Sequence, residues 1–510
     1  MAFRRSLWLG TGAGAAVAVA AAVAITLALQ PSGSAATGLS AAPLGVNVAP
    51  WDGLYAGDGA AAVQPLLSAA GISQLRYGGG SYADIYNWQT NVNVGACEQF
   101  DADAKAGCTI QNPLGFAEFS KQARAIGAES LVTVNYGSGT PAQAAAWVTR
   151  AAAVAGQDVA LWEVGNENYG CWETNDKLAG PPAYYQGYRP SVNGEPDNAT
   201  CPQTAQGAVN GMKTLATSYA VNAGQFLKAM KAADQGAVLG VPYAFGPEVS
   251  GAEVVDNQQW NDTVLRADGR YIGFVDAHYY PFTFSGSTGG ANPTDADVLH
   301  ALQKIPSLHT SIRQELAKHV PSAAVIIGET AVSNGATTTV CTPVGAVFAA
   351  GDVLSWLAAG AQSVDWWSLN DTANTGATCA NPGSGLFNAA TRPEPETPYY
   401  GYLLASKLAR PGAALKFLAT SDSADVIAYQ SALADGRHAV AFINLSTTAA
   451  QDTVTFPAVS GLTGTLNYWS YTAGSQNATS SRIETGTTPA ASVASHIGLP
   501  PESVTVLETQ

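Results

Sequence analysis

Two acidic residues have the surroundings of reactive groups. Glu167 lies in Gly165-Asn166-Glu167-Asn168 and Glu329 in Gly328-Glu329-Thr330, each directly after a short apolar run. Paired carboxyls flanking a pocket are what glycosidic bond cleavage needs. One, kept protonated, gives a proton to the leaving oxygen, and the other attacks or orients water at the anomeric carbon. Other apolar runs end in residues able to set the two apart. Arg76, in Arg76-Tyr77-Gly78-Gly79-Gly80-Ser81, and Tyr280, in His278-Tyr279-Tyr280, would hold one carboxylate ionised by charge and hydrogen bonding. A drier aromatic setting near Trp162 or Trp172 would raise the other. Asn135 follows a further run, and Trp366-Trp367 another. Trp51, Trp366 and Trp367 are candidate sugar platforms, with buried packing as the alternative for each. Glu163 and Glu173 compete as acids. Glu163 falls inside a strand and is expected to be a buried partner for a cation, whereas Glu173 falls in a loop and is expected to be solvated.

Positioning these residues requires a frame. Strand-like runs occur at 44–48, 74–77, 130–135, 159–164, 237–241, 274–278, 324–327 and 363–366. Amphipathic, Ala-rich stretches at 115–125, 141–155, 211–232, 297–317 and 345–359 lie between them. Such alternation implies βαβ units, and eight of them fit a (β/α)8 TIM barrel over 44–405. Active residues of such barrels sit just past the C-terminal ends of the strands, where the candidate residues fall. No Gly fingerprint opens a helix after the first strand, so a dinucleotide-binding sheet is excluded. From Ala414 the period becomes two, in 425–432, 438–445, 453–457, 465–471 and 504–507. That pattern predicts a C-terminal antiparallel β-sandwich over 410–510, joined through Arg410-Pro411-Gly412.

The chain has 510 residues, 23 Lys+Arg against 38 Asp+Glu, and a formal charge of −15. No basic run of the kind nucleic acid or an anionic membrane surface needs is present, so neither is expected as a partner. Phe3-Arg4-Arg5, an apolar run over 6–29 and small residues beyond it read as an export signal over 1–36. The run is also long enough to serve as a membrane anchor if uncleaved. The chain is therefore expected to be secreted or held at the cell surface. Its six cysteines fit that compartment, and sequence neighbours suggest the pairs Cys97–Cys108, Cys171–Cys201 and Cys341–Cys379. No CxxC pair or Cys/His zinc spacing occurs, so neither metal nor cofactor is expected.

The stretch Trp162-Glu163-Val164-Gly165-Asn166-Glu167-Asn168-Tyr169-Gly170 resembles the acid/base segment of family 51 α-L-arabinofuranosidases, within glycoside hydrolase clan A. Val134-Asn135-Tyr136-Gly137-Ser138-Gly139-Thr140-Pro141 is similar to that family's third-strand loop, and Leu75-Arg76-Tyr77-Gly78-Gly79-Gly80 to its second-strand motif. The resemblance implies Glu167 as acid/base, Glu329 as nucleophile, Asn166 on the sugar 2-hydroxyl, Arg76 and Tyr280 holding Glu329, and His278 lining the pocket. It implies a retaining reaction on an oligosaccharide or polysaccharide. Where the family's first-strand loop supplies a sugar-binding glutamate, this chain reads Val48-Ala49-Pro50-Trp51-Asp52-Gly53, and Ser81 replaces an expected asparagine. Both departures bear on which sugar is bound, and leave open a β-xylosidase or β-glucuronidase. A catalytically silent glycan-binding protein is the reading from another class, which retention of both glutamates disfavours.

Overall fold

The computed structural model describes residues 38–93, 110–170, 173–177, 205–245, 251–282, 293–333, 342–370, 384–388, 393–448, 452–472, 483–493 and 495–510. The expected export signal, all six cysteines and Trp172 lie outside these residues. Eight parallel strands close into a barrel: β1 (Leu44–Val48), β2 (Gln74–Tyr77), β3 (Glu129–Val134), β4 (Leu161–Val164), β5 (Leu239–Tyr243), β6 (Ile272–Tyr279), β7 (Ala324–Thr330) and β8 (Ser363–Trp366). They pair in chain order, and β1 closes the ring on β8.

Alternation along each strand explains the two faces. Outward residues such as Val46, Leu75, Val132, Val164, Val275 and Ile327 join one apolar core beneath the helices. Inward residues change character along the strands. At one level Leu131, Leu161, Phe274 and Ile326 form a small apolar plug, and Gly240 leaves room for the Phe274 ring, which its Cβ would meet at 2.2 Å. Two residues further on, the inward positions are Thr133, Glu163 and Asp276, all buried. The barrel therefore closes with polar groups towards its C-terminal mouth.

The helices between strands are α1 (Gly59–Ala69), α2 (Phe116–Ala125), α3 (Pro141–Ala153), α4 (Ala205–Ala233), α5 (Gly251–Asp268), α6 (Asp295–Ala301), α7 (Ile305–His319), α8 (Pro343–Ala359) and α9 (Thr397–Ala405). A Thr140 capping box with Gln143 starts α3, and a second one, Thr294 with Asp297, starts α6. The single helix expected over 297–317 is broken at a 3-10 turn, Leu302–Lys304, with Pro306 in the first turn of α7. Helices α1, α5 and α9 were not legible in the sequence. Pro65 interrupts the pattern of α1, and α5 is rich in Asn, Gln and Asp with little apolar periodicity. Among the described residues, no helix is long and apolar enough to cross a membrane.

The second part is an antiparallel sandwich. Its strands are β9 (Ala414–Leu418), β10 (Val426–Ala432), β11 (His438–Asn444), β12 (Asp452–Thr455), β13 (Thr465–Tyr471), β14 (Glu484–Pro489), β15 (His496–Leu499) and β16 (Ser503–Thr509). A six-stranded sheet, ordered β9-β10-β11-β16-β13-β14, faces the pair β12-β15 over a core containing Phe442, Phe456, Leu466 and Leu507. The other face of the large sheet, through Tyr429, Ala441 and Val506, shares the barrel's core. Helix α8 runs between the two and is buried from Pro343 to Leu357, which explains why it is apolar all round. Tyr429 and Ser355 of α8 share a hydroxyl hydrogen bond of 2.6 Å across this junction.

Candidate active site

Arg76, at the end of β2, is the hub of the polar mouth and is 1% exposed. Its Nη1 donates to Glu329 Oε1 at 2.8 Å and to Asn47 Oδ1 at 2.9 Å. Its Nη2 donates to Glu163 Oε2 at 3.0 Å and to Asn166 Oδ1 at 2.9 Å, and its Nε lies 3.1 Å from Asp276 Oδ2. A guanidinium has five N–H donors in a rigid fork, which suits it to hold several acceptors from different strands at once.

Glu329 sits at a bulge. The pairing of β7 with β6 shifts between Ile327 and Glu329, so Gly328 is the extra residue. Glycine is required there, because a Cβ would lie 2.1 Å from Asp276 Oδ2. Asp276 Oδ1 accepts the Gly328 N–H at 2.6 Å, and Asn47 Nδ2 donates to the Gly328 carbonyl at 2.7 Å. The bulge is thus held from β6 and β1. It aims Glu329 at two donors, Arg76 on Oε1 and the Tyr280 hydroxyl on Oε2 at 2.7 Å.

Glu167 follows β4 in a turn templated from elsewhere. Asp84 Oδ1 accepts the backbone N–H groups of Tyr136 and Gly137, at 3.1 and 3.0 Å. Its Oδ2 accepts Asn168 Nδ2 at 2.7 Å and the Asn166 N–H at 3.4 Å. Glu167 itself has φ 43°, the left-handed region that costs a non-glycine residue free energy and clusters at functional sites. Its Oε1 accepts from His278 Nδ1 at 2.8 Å and from the Tyr169 hydroxyl at 3.1 Å. The same His278 Nδ1 is 3.4 Å from Glu329 Oε2. One ring nitrogen therefore stands between the two carboxyls, and an oxygen of each lies with it inside a 4.8 Å span.

Burial and charge compete in this cluster. Burial first, then Asp276, pushes the Glu163 carboxyl up to about 8 against the pull of Arg76. Burial would raise Asp276 as well, but Arg76 and His278 outweigh it and hold Asp276 below its ordinary value. Burial would lower His278, yet Glu329, Asp276 and Glu167 keep it well above an ordinary imidazole. Glu329 is raised by burial and by Glu167, while His278, Arg76 and Tyr280 oppose the rise. Among the described residues, two groups have the spacing of an ion site, Glu163–Asp276–His278 and Glu167–His278–Glu329. The Arg76 guanidinium already neutralises the first, and the second is the carboxyl pair itself.

The structure brings Arg76, Asn166, Glu167, His278, Tyr280 and Glu329 into one hydrogen-bonded cluster. Trp367 joins its edge. Gly80, at φ 61°, has no Cβ; one there would lie 2.9 Å from the Trp367 indole and 3.5 Å from Glu329 Oε1. Trp51 packs over Gly79 in the same way and lines one cavity with Trp367, Asn47, Asp52 and Asn370. Asn135 is not part of the cluster: its amide holds the Tyr86 carbonyl and the turn at Ser138 and Gly139. Trp366 is no platform, being fully buried against Tyr402 and Phe348. Glu163 is the buried partner of a cation, as its place in a strand implies. Glu173, expected in solvent, is 1% exposed, because its carboxyl is held against Ser81 and Asn166. Sequence reasoning passed over Asn47, Asp84 and Tyr169. Asn47 carried a signal, a polar inward residue in an apolar strand. So did Asp84, the lone acid between Arg76 and Cys97.

A closed (β/α)8 barrel joined to an antiparallel sandwich, with paired carboxyls just after β4 and at the end of β7, is the architecture of barrel glycoside hydrolases. Comparison with known proteins finds likenesses to arabinofuranosidases and, by fold, to other glycoside hydrolases, a β-xylosidase of Caulobacter crescentus CB15 among them at a TM-score of 0.55 and 14% identity over 93% of this chain and 97% of the other. The sequence is 24% identical over 246 residues to an intracellular exo-α-(1→5)-L-arabinofuranosidase of Bifidobacterium longum, a match spanning 45% of this chain and 36% of that protein. The fold is that of a family 51 α-L-arabinofuranosidase from Bifidobacterium longum, with a TM-score of 0.65 at 16% identity over 94% of this chain and 97% of the other. It is equally that of the family 51 α-L-arabinofuranosidase of Thermotoga petrophila RKU-1, at 0.65 and 16% over 93% and 98%. No family model matches the chain.

Proposed function

We propose that the chain is an exported retaining glycoside hydrolase that removes terminal arabinofuranosyl or related neutral sugars from extracellular polysaccharides. The observation that carries this is the Glu167–His278–Glu329 bridge. An oxygen of each carboxyl falls within 4.8 Å of the other, and retaining enzymes place their carboxyls about 5–5.5 Å apart, leaving no room for a water between them.

Charge balance assigns the roles. Arg76 and His278 bring two positive charges, Asp276 one negative, and Glu163 stays protonated near neutral pH. One further negative charge is then shared between Glu167 and Glu329. Glu329 has a donor on each oxygen and takes it, as a nucleophile must. Glu167 accepts from His278 Nδ1 and from the Tyr169 hydroxyl on one oxygen, Oε1, and takes the part of the protonated acid. Glu329 attacks the anomeric carbon while Glu167 protonates the leaving oxygen. Glu167 then takes a proton from the water that releases the sugar. Asn166 offers its second amide N–H to the sugar 2-hydroxyl. Arg76 is wholly committed to acceptors of the barrel, so it is not free to select an acidic sugar, which speaks against a glucuronide. Export rests on the N-terminal segment, and the mass of the mature protein recovered outside the cell tests it.

Glu329→Ala is expected to abolish hydrolysis of aryl glycosides, with azide rescuing it as a glycosyl azide of inverted configuration. Near wild-type turnover in that variant would overturn the assignment. Glu167→Ala should keep far more activity on an aryl glycoside with a good leaving group than on a natural glycan. A panel of L- and D-arabinofuranosides, xylosides and glucuronides identifies the sugar.

A further inference from the structure

Glu173 is the buried acid beside the carboxyl pair that double displacement leaves unused. Its Oε1 accepts from the Ser81 hydroxyl at 2.6 Å and from Asn166 Nδ2 at 3.2 Å. At its other end, the same Asn166 carboxamide accepts from Arg76 Nη2 at 2.9 Å. A carboxamide has one accepting and one donating end. Turned over, it would set its NH₂ against the guanidinium and its oxygen against Glu173, losing both hydrogen bonds at a site only 2% exposed. Arg76 Nη2 thus meets the oxygen end of the carboxamide and Glu173 its amine end.

We propose that Glu173 is a positioning residue: with Ser81 bracing it, it locks the Asn166 amide in the single orientation that presents an N–H to the substrate. This rests on the glycoside hydrolase reading, in which that N–H meets the sugar 2-hydroxyl. It also gives Ser81 a role in this chain. The residue after the three glycines serves the acid that orients Asn166 rather than the sugar itself. Two neighbouring acids make Glu173 the proton-bearing member of its group. Asp84 takes four N–H donors of its own, and burial first, then Asp84 and Glu167, hold Glu173 well above the usual carboxylate range. A protonated acid still accepts through its carbonyl oxygen, and so does an amide.

The test is a mutant cycle on an aryl glycoside, joined to crystal structures. Glu173→Leu should lower kcat about tenfold with little change in KM, since contacts to the 2-hydroxyl strengthen in the transition state. Glu173→Gln should recover most of that loss. Asn166→Ala combined with Glu173→Leu should be no worse than Asn166→Ala alone, because both remove one interaction. Additive losses, or Glu173→Gln as poor as Glu173→Leu, would overturn the proposal. Glu173→Asp, which keeps an acid but withdraws it from Asn166, serves in place of the leucine variant if that one does not fold. In the crystal structure of either variant the Asn166 amide should leave Arg76, and an amide that has not moved refutes the role without reference to activity. A wild-type protein inactive on every aryl glycoside would instead strike the hydrolase reading, with the crystal structures still deciding the place of Glu173.

Discussion

At the scale of residues, the site is an argument about which acid keeps its proton. Asp84, Glu163, Glu167, Glu173, Asp276 and Glu329 lie close together, and their burial, neighbouring charges and hydrogen-bond partners tell them apart. Tyr280 is the cleanest probe. Its hydroxyl donates to Glu329 Oε2 and pulls that carboxyl down. Tyr280→Phe should raise the pKa of Glu329, so the acid limb of kcat/KM moves to higher pH, and kcat should fall about tenfold for one lost donor to a charged group. An unmoved acid limb would show that Tyr280 does not act on the ionised carboxyl. The sequence made Arg76, Glu167, His278, Tyr280 and Glu329 legible because each ends a recognisable apolar run. It misplaced Glu173, because burial of a loop acid depends on partners distant in the chain, here Ser81.

At the scale of elements, the sharp feature is the bulge at Gly328. The peptide there donates to Asp276 and accepts from Asn47, so β1, β6 and β7 are tied at one point. Gly328→Ala would drive a methyl group into the Asp276 carboxylate, 2.1 Å away, and so displace both Asp276 and the adjacent Glu329. We expect a loss of kcat of about a hundredfold or more, since roughly 1 Å of misplacement costs that much. Activity within a few-fold of wild type would mean that the bulge does not aim Glu329. Helix starts carry smaller terms: Thr140→Ala, which breaks the α3 capping box, should cost about 1 kcal/mol in denaturant unfolding. Short apolar runs and period 3.6 revealed all eight barrel strands, and period two all of the sandwich strands but β9, β14 and β15. They missed α1, α5 and α9, whose helicity rests on packing against neighbours more than on their own pattern.

At the scale of the whole molecule, buried acids shape stability and α8 shapes the domain junction. Burial holds Glu163, Asp352 and Asp365 up to about 8, and Asp52 and Asp84 up to about 7. The folded state therefore keeps protons that the unfolded chain releases near pH 4. Their contribution is full below that pH and is lost as pH rises towards 8, with Asp276 acting in the opposite sense. The thermal midpoint should fall between pH 5 and pH 8, and Asp352→Asn, at a carboxyl that accepts from the Thr330 hydroxyl at 3.0 Å, should shrink that fall by a few degrees. A midpoint that rises over this interval would reverse the argument. Truncation after Ala409 removes the sheet that covers α8, a helix buried on every side from Pro343 to Leu357. The barrel alone should then aggregate, and a soluble, monomeric truncated barrel in size-exclusion chromatography would show that the sandwich is dispensable.

The sequence by itself determined the alternation of strands and helices, the change to period two after Ala414, and which residues stand at the strand ends. Those properties are local: each is written within a dozen residues. Only the tertiary structure decided that Arg76 and Glu329, 253 residues apart, share a hydrogen bond, that Asn47 and Asp276 hold the Gly328 bulge, and that Glu173 lies beneath Asn166. Desolvation and charge act through space, and closing the barrel brings distant strand ends within hydrogen-bonding distance. The roles of the acids are therefore set by neighbours far away in the chain.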